Sequence, residues 1–108
     1  MNAAEPELRK LVDLELEAAN RENPPFHSPH EGYAVILEEV EEVRDELYNI
    51  NGGMTRLWGA VKTNDAIAMG DEACDIENHA VHLAAEALQV AAMARKFRAF
   101  SGGGYDEL

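Results

Sequence analysis

Apolar side chains recur at intervals of three and four residues along most of the chain, the spacing that places them on one face of an α-helix. Pro6 suits the first turn of a helix, where its missing N–H costs no hydrogen bond. We expect this first helix to end near residues 20–23, because Pro24 and Pro25 cannot continue it. Its apolar face is formed by Leu8, Leu11, Val12, Leu16 and Ala19.

A second helix is predicted to begin at residue 28. Ser28, Pro29 and Glu31 supply an N-cap hydroxyl, a first-turn proline and a glutamate three residues after the cap, which is the pattern of a capping box. Because residues 51–53 read Asn-Gly-Gly, we expect the helix to break there and a short helical segment to follow over residues 54–61. The apolar seam of the second helix is formed by Ile36, Val40, Val43, Leu47 and Ile50.

A last long helix is predicted from about Asp71, or from Asp65 with an irregularity at Gly70, to about Phe100. No stretch alternates with a period of two, so the fold class is all-α. We expect one domain over residues 1–100 and a flexible C-terminal tail over residues 101–108. The buried stripe of the last helix is predicted to contain Ile76, Ala80, Leu83, Ala87, Val90, Ala94 and Phe97.

Composition indicates that this helical bundle is completed by other copies of the chain. The chain has 108 residues and is 46% apolar, which excludes a wholly disordered acidic protein. Seventeen of the apolar residues are alanines, however, and each buries little area. We therefore expect homo-oligomerisation, as a homodimer or a homotetramer.

The charge balance excludes one class of partner. The net charge is −12, so the chain lacks the basic surface that binds a nucleic-acid polymer.

No apolar run approaches the roughly 18 residues of a membrane span, and the first residues lack the pattern of a secretory signal. The single cysteine, Cys74, cannot form an internal disulfide. We expect no membrane partner and a cytoplasmic location.

The candidate chemistry lies in a concentration of carboxylates. Residues 31–46 contain seven acids and one base, and Glu39, Glu42 and Glu46 fall on one stripe beside the apolar seam, with Glu38 one step further round. Like charges at this spacing repel unless a cation neutralises them, and Mg²⁺ prefers such oxygen ligands. The alternative is an ordinary solvated acidic face.

The last helix carries a matching polar stripe formed by Asp75, His79, His82 and Glu86, with Gln89 nearby. Glu86 stands among alanines and aliphatic residues, where a carboxylate needs a cation, a hydrogen-bond donor or a metal. If the two helices pack together, Glu39, Glu42 and Glu86 converge on one divalent ion. We interpret His79 and His82 as residues at the edge of the apolar face rather than as metal ligands.

The segments FHSPHEGYAVILEEVEEV and EALQVAAMARKF together resemble small MazG-like proteins of the all-α nucleoside triphosphate pyrophosphohydrolase family. The family motif E-E-x-x-E is complete at residues 38–42. The family's later E-x-x-D motif falls on residues 86–89, with Gln89 in the place of the aspartate, whereas a literal E-x-x-D occurs at residues 72–75. Gln89, Asp75 and water are therefore the alternatives for a fourth metal ligand.

The resemblance implies a reaction and roles for named residues. One or two Mg²⁺ ions, with Mn²⁺ as an alternative, are expected on Glu39, Glu42 and Glu86, with Glu38 assisting and receiving a proton. The expected reaction splits a nucleoside triphosphate between its α- and β-phosphates into a monophosphate and pyrophosphate. The cation would also lower the pKa of an attacking water.

Several residues are candidates for contacts to the substrate. His30, with Phe26 and Tyr33, is a candidate for a base pocket, and Trp58 for stacking on a base or for a place in the core. The outgoing phosphates are assigned to Lys62, Arg56 or a basic residue of a neighbouring subunit. Two other functions stay open: an iron-binding helical bundle, and an acidic interaction module without catalysis.

Overall fold

The computed structural model describes residues 3–102, which form three helices and no strand within that range. Helix α1 spans Glu5–Glu22, α2 spans Pro29–Lys62 and α3 spans Ala66–Ser101. The all-α prediction is confirmed. Residues 103–108, most of the predicted tail, lie outside the described range, and the single domain predicted for residues 1–100 stays a prediction.

The first turn of α2 is held by the predicted capping interaction. Ser28 Oγ accepts a hydrogen bond from the backbone N–H of Glu31 at 3.1 Å. The Glu31 carboxylate reaches back one residue further than a standard capping box and accepts the backbone N–H of His27 at 2.7 Å. That backbone hydrogen bond, followed by one from the His27 side chain, lowers the pKa of Glu31 below its usual value.

The turn between α2 and α3 is short. Asn64 adopts a left-handed conformation, with φ of 54°, and its amide bonds to the carbonyl of Val61. Asp65 then caps α3, because its Oδ1 accepts the backbone N–H of Ala68 at 3.1 Å. α3 therefore begins at Ala66, and Gly70 introduces no irregularity.

The predicted break in α2 at residues 51–53 is wrong, and so is the separate segment over 54–61. The helix continues through Gly52 and Gly53 to Lys62, and neither glycine has a positive φ. A Cβ atom at Gly53 would lie 2.8 Å from Cγ1 of Ile76 on α3. The missing side chain thus allows close approach of the two helices, and this packing outweighs the low helix propensity of glycine.

One compact unit combines α1, the chain up to Val40 and the part of α3 from Ala87 onward. Its buried cluster consists of Val12, Phe26, Ala92 and Met93, with Phe97 and Phe100 packed against it. The ring of Phe26 lies 6.2 Å from the rings of both phenylalanines of α3. Lys96 is also buried, with its Nζ 4.9 Å above the Phe26 ring.

The buried face of α3 in this unit differs from the predicted stripe. Ala87 and Ala94 are exposed, whereas Ala92, Met93 and Lys96 are buried. The prediction followed the helix's own apolar repeat, but the connector residue Phe26 and helix α1 select the side that packs. Val90 and Phe97, which were predicted to be buried, are half-buried.

A second compact unit, Glu41–Glu86, contains the rest of α2, the turn and the first part of α3. Ala60 and Gly53 are its buried positions on α2. Ile76 and Leu83 of the predicted α3 stripe are half-buried here, and Ala80 is exposed. Across residues 3–102, no helix combines the length and the apolar content needed to cross a membrane.

Replacing Gly53 with alanine is expected to lower the free energy of unfolding, because the new methyl group would overlap Ile76; overpacking of this kind costs about 1–3 kcal/mol. The matched control is Gly70→Ala, since a Cβ atom there meets nothing within 4 Å. That control should gain about 0.5–1 kcal/mol from helix propensity. Urea denaturation followed by circular dichroism measures both. Equal stabilisation by the two alanines would show that the close approach at Gly53 is not required.

Candidate metal centre

Three carboxylates form one group, Glu39, Glu42 and Glu86. One carboxylate oxygen of Glu42 lies within 4.8 Å of one of Glu86. Glu39 and Glu42 are a single helical turn apart on the continuous α2, and Glu42 and Glu86 both belong to the second unit. Glu39 and Glu86 are half-buried and Glu42 is exposed, so the group is reachable from solvent.

The donor set suits a hard divalent cation. All three side chains offer carboxylate oxygens, and Mg²⁺ is held in proteins by one or more carboxylates together with water or substrate phosphate. Ionised carboxylates at this separation repel by about 1 kcal/mol per pair even in bulk water, and by more near a protein surface. A cation between them reverses that cost, so the residues present fit the group that the sequence pattern implies.

Glu38 occupies a different position from the other predicted ligands. It is exposed, and it is not a member of the three-carboxylate group. Its neighbour Glu39 is a member, and successive residues of a helix point about 100° apart. Glu38 is therefore next to the group in sequence, and its predicted role as proton acceptor stays a prediction.

Both protein alternatives for a fourth ligand have other partners. Gln89 donates a hydrogen bond from Nε2 to Glu15 Oε2 of α1 at 2.5 Å. Asp75 accepts a hydrogen bond from Arg56 Nη2 at 3.1 Å, and it precedes Glu86 by eleven residues, about 16 Å along α3. Of the three alternatives, water is the one that requires no rearrangement of these contacts.

Two of the predicted substrate-binding residues meet each other far from the carboxylates. Lys62 Nζ lies 5.7 Å above the ring of Trp58, which is 59% exposed. Trp58 follows Glu42 by sixteen residues on the same helix, about 24 Å along its axis. Within one copy of the chain, Trp58 and Lys62 therefore cannot contact a nucleotide held at Glu42.

The other predicted contacts lie near the start of α2. His30 is exposed in the first turn, nine residues before Glu39 and about 14 Å from it along the helix. Phe26 is buried in the apolar cluster of the first unit, so it is a core residue and does not line a base pocket. Tyr33 is exposed. Arg56 is engaged by Glu72 and by an aspartate of α3.

A second group of potential ligands, Glu46, His79 and His82, was missed in the sequence interpretation, which assigned the two histidines to the edge of an apolar face. One ligand atom from each residue lies within 4.8 Å of the others. His79 Nδ1 is 2.7 Å from Glu46 Oε1, and this hydrogen bond lowers the pKa of Glu46. The available signal was the continuation of both stripes by one turn, from Glu42 to Glu46 and from Glu86 to His82.

Comparison with known proteins gave no family assignment. No protein-family model, no curated protein and no solved structure matches this chain.

Mg²⁺ is expected to raise the thermal unfolding temperature, because the cation relieves repulsion among three carboxylates that are close together only in the folded state. At ten times the dissociation constant, the gain is about 1.4 kcal/mol, or roughly 5 °C or more for a domain of this size. Differential scanning calorimetry with MgCl₂, against NaCl of equal ionic strength, measures the shift. Glu42→Gln should reduce the shift, whereas Glu41→Gln, an exposed neighbour outside the group, should keep it. An equal shift in both variants would contradict cation binding at this group.

Proposed function

We propose that the protein is a Mg²⁺-dependent nucleoside triphosphate pyrophosphohydrolase of the MazG-like kind. The observation that carries the proposal is the approach of Glu42 on α2 to Glu86 on α3, with Glu39 one helical turn before Glu42. These are the carboxylates that the resemblance of the sequence assigns to the metal. The ligand set and the resemblance are separate lines of support, because the first comes from side-chain positions and the second from residue order.

The electrostatics of the chain agree with a metal-dependent reaction. A net charge of −12 repels a triphosphate, so recognition of that substrate requires a cation at the contact. Glu39, Glu42 and Glu86 are the residues that would hold it. When bound, Mg²⁺ or Mn²⁺ supplies charge neutralisation of the phosphate oxygens and activation of a water molecule.

The remaining chemistry is assigned to Glu38. Water adds to the α-phosphorus, the bond from that phosphorus to the oxygen bridging to the β-phosphate breaks, and pyrophosphate leaves with the bonding electron pair. The attacking water loses one proton, and a carboxylate that is exposed beside the metal ligands is suited to accept it. The products are a nucleoside monophosphate and pyrophosphate, with one water consumed.

Pyrophosphate release from ribo- and deoxynucleoside triphosphates, with and without Mg²⁺, tests the proposed reaction. Glu39→Gln and Glu86→Gln should each lower kcat/KM at least about 100-fold, because each removes a charged ligand of the cation. Glu41→Gln should retain the activity of the parent protein, and circular dichroism should show unchanged helix content in all three. Pyrophosphate release that persists in both ligand variants, or its absence for every nucleotide, would overturn the proposal.

We also propose that the active assembly is a homodimer or a homotetramer. Four apolar side chains of α2 are exposed in the second unit: Leu47, Met54, Trp58 and Val61. Their spacing of seven, four and three residues is that of a coiled-coil seam, so the same stripe on a second copy is complementary to it. Pairing would also give Trp58 and Lys62 a route to the carboxylates of another copy, which they lack within their own chain.

Sedimentation equilibrium should give two or four times the chain mass of 11.9 kDa. Trp58→Gln should shift the assembly toward the monomer, since it places a polar group in the centre of the seam. Ile67→Gln is the matched control, because Ile67 is 80% exposed and lies outside the stripe on α3. A monomeric parent protein, or equal dissociation in both variants, would contradict assembly through this face and would leave the proposed reaction to its own test.

A further inference from the structure

We propose that Glu46, His79 and His82 bind a second divalent cation, of the imidazole-preferring class represented by Zn²⁺ and Co²⁺. The site does not rest on the proposed hydrolase activity. Its three residues come from two helices of the same compact unit, one from α2 and two from α3. They are separate in chemistry from the neighbouring three-carboxylate group, which contains only oxygen donors.

The geometry brings both histidines to one carboxylate. His79 Nδ1 lies 2.7 Å from Glu46 Oε1, and His82 Nδ1 lies 3.5 Å from Glu46 Oε2. The two imidazole rings are 6.2 Å apart and nearly perpendicular. The i, i+3 spacing on α3 keeps the two rings on the same side of that helix, so three donors face one point without any change of backbone.

A second carboxylate lies on the outer side of His79. Its outer ring nitrogen, Nε2, lies 3.6 Å from Asp75 Oδ1. Asp75 is held in turn by a hydrogen bond from Arg56 Nη2 at 3.1 Å. A histidine that ligates a metal commonly directs its other ring nitrogen to a carboxylate, which fixes the tautomer and increases the basicity of the ligating nitrogen. Nδ1 is the nitrogen of His79 that faces Glu46, so it is the one that would bind the metal.

The donor set selects the class of metal. Two imidazole nitrogens and one carboxylate suit Zn²⁺ and its chemical relatives, whereas Mg²⁺ and Ca²⁺ prefer oxygen ligands alone. The carboxylate group one helical turn away, about 6 Å along either helix, offers the opposite preference. The two groups can therefore distinguish the two kinds of cation by ligand type.

The site leaves room for further ligands. The side chains of His79 and Glu46 are 27% and 20% exposed, and that of His82 is 63% exposed. Three protein ligands with space for water are typical of an open site rather than of a closed structural one.

Cobalt spectroscopy on the full chain tests the site. After removal of metals with EDTA, titration with Co²⁺ should produce visible ligand-field absorption that saturates at one ion per chain. Equimolar Zn²⁺ should abolish that absorption, and excess Mg²⁺ should leave it unchanged. His79→Gln and His82→Gln should each weaken Co²⁺ binding at least about tenfold, because each removes a nitrogen ligand.

Two control variants separate this site from the carboxylate group and from general histidine binding. His30→Gln removes an exposed histidine at the start of α2 and should leave Co²⁺ binding unchanged, as should Glu42→Gln. Circular dichroism should show the same helix content in every variant. His82 has the most exposed side chain of the three ligands, so its variant keeps the test valid even if the His79 variant fails to fold.

Three results would overturn the proposal: no visible absorption in the parent protein, retention of Co²⁺ affinity in His82→Gln, or equal loss in His30→Gln. Failure of the metal titration would leave pyrophosphate release unaffected, and failure of pyrophosphate release would leave the cobalt spectrum unaffected. The two hypotheses are therefore decided by different measurements.

Discussion

The antiparallel pairing of α2 with α3 in the second unit fixes which side chains meet, and the short turn at Asn64 sets its register. Glu42 lies beside Glu86, Glu46 beside His82, Gly53 beside Ile76 and Arg56 beside Glu72. The members of each pair are equally far from Asn64 along the chain, to within one residue. A change of one residue in that turn would rotate one helix by about 100° relative to the other and separate all of these pairs.

The same register places two kinds of ligand group in succession along one helix pair. The proposed hard cation at the three carboxylates would offset repulsion among their charges. In the next turn, Glu46 is already stabilised in its ionised form by hydrogen bonding to His79. The two groups differ because α3 carries histidines at positions 79 and 82. Their side chains offer nitrogen donors, whereas the other ligands are carboxylate oxygens.

The sequence predicted features whose causes are local and missed those whose partners are distant. The cap at Ser28 could be predicted because its hydroxyl, the proline and the glutamate all lie within four residues of the sequence. The continuity of α2 at Gly53 was not, because its cause is the approach of Ile76 from the other helix. Likewise, His79 carries no local sign that its partner is Glu46, which is 33 residues earlier in the chain. The carboxylates are an intermediate case. The acidic stripe of each helix could be identified in the sequence, but the approach of the two stripes depends on how the helices pack.

Burial of Lys96 gives the first unit an unusual chemical property. The side chain is buried and its ammonium lies over the face of Phe26, so the amine is shielded from reagents in water. Acylating reagents should modify the protein's other lysines, both exposed, well before this one. The rate at which Lys96 becomes acylated therefore measures how often the aromatic cluster opens by local unfolding.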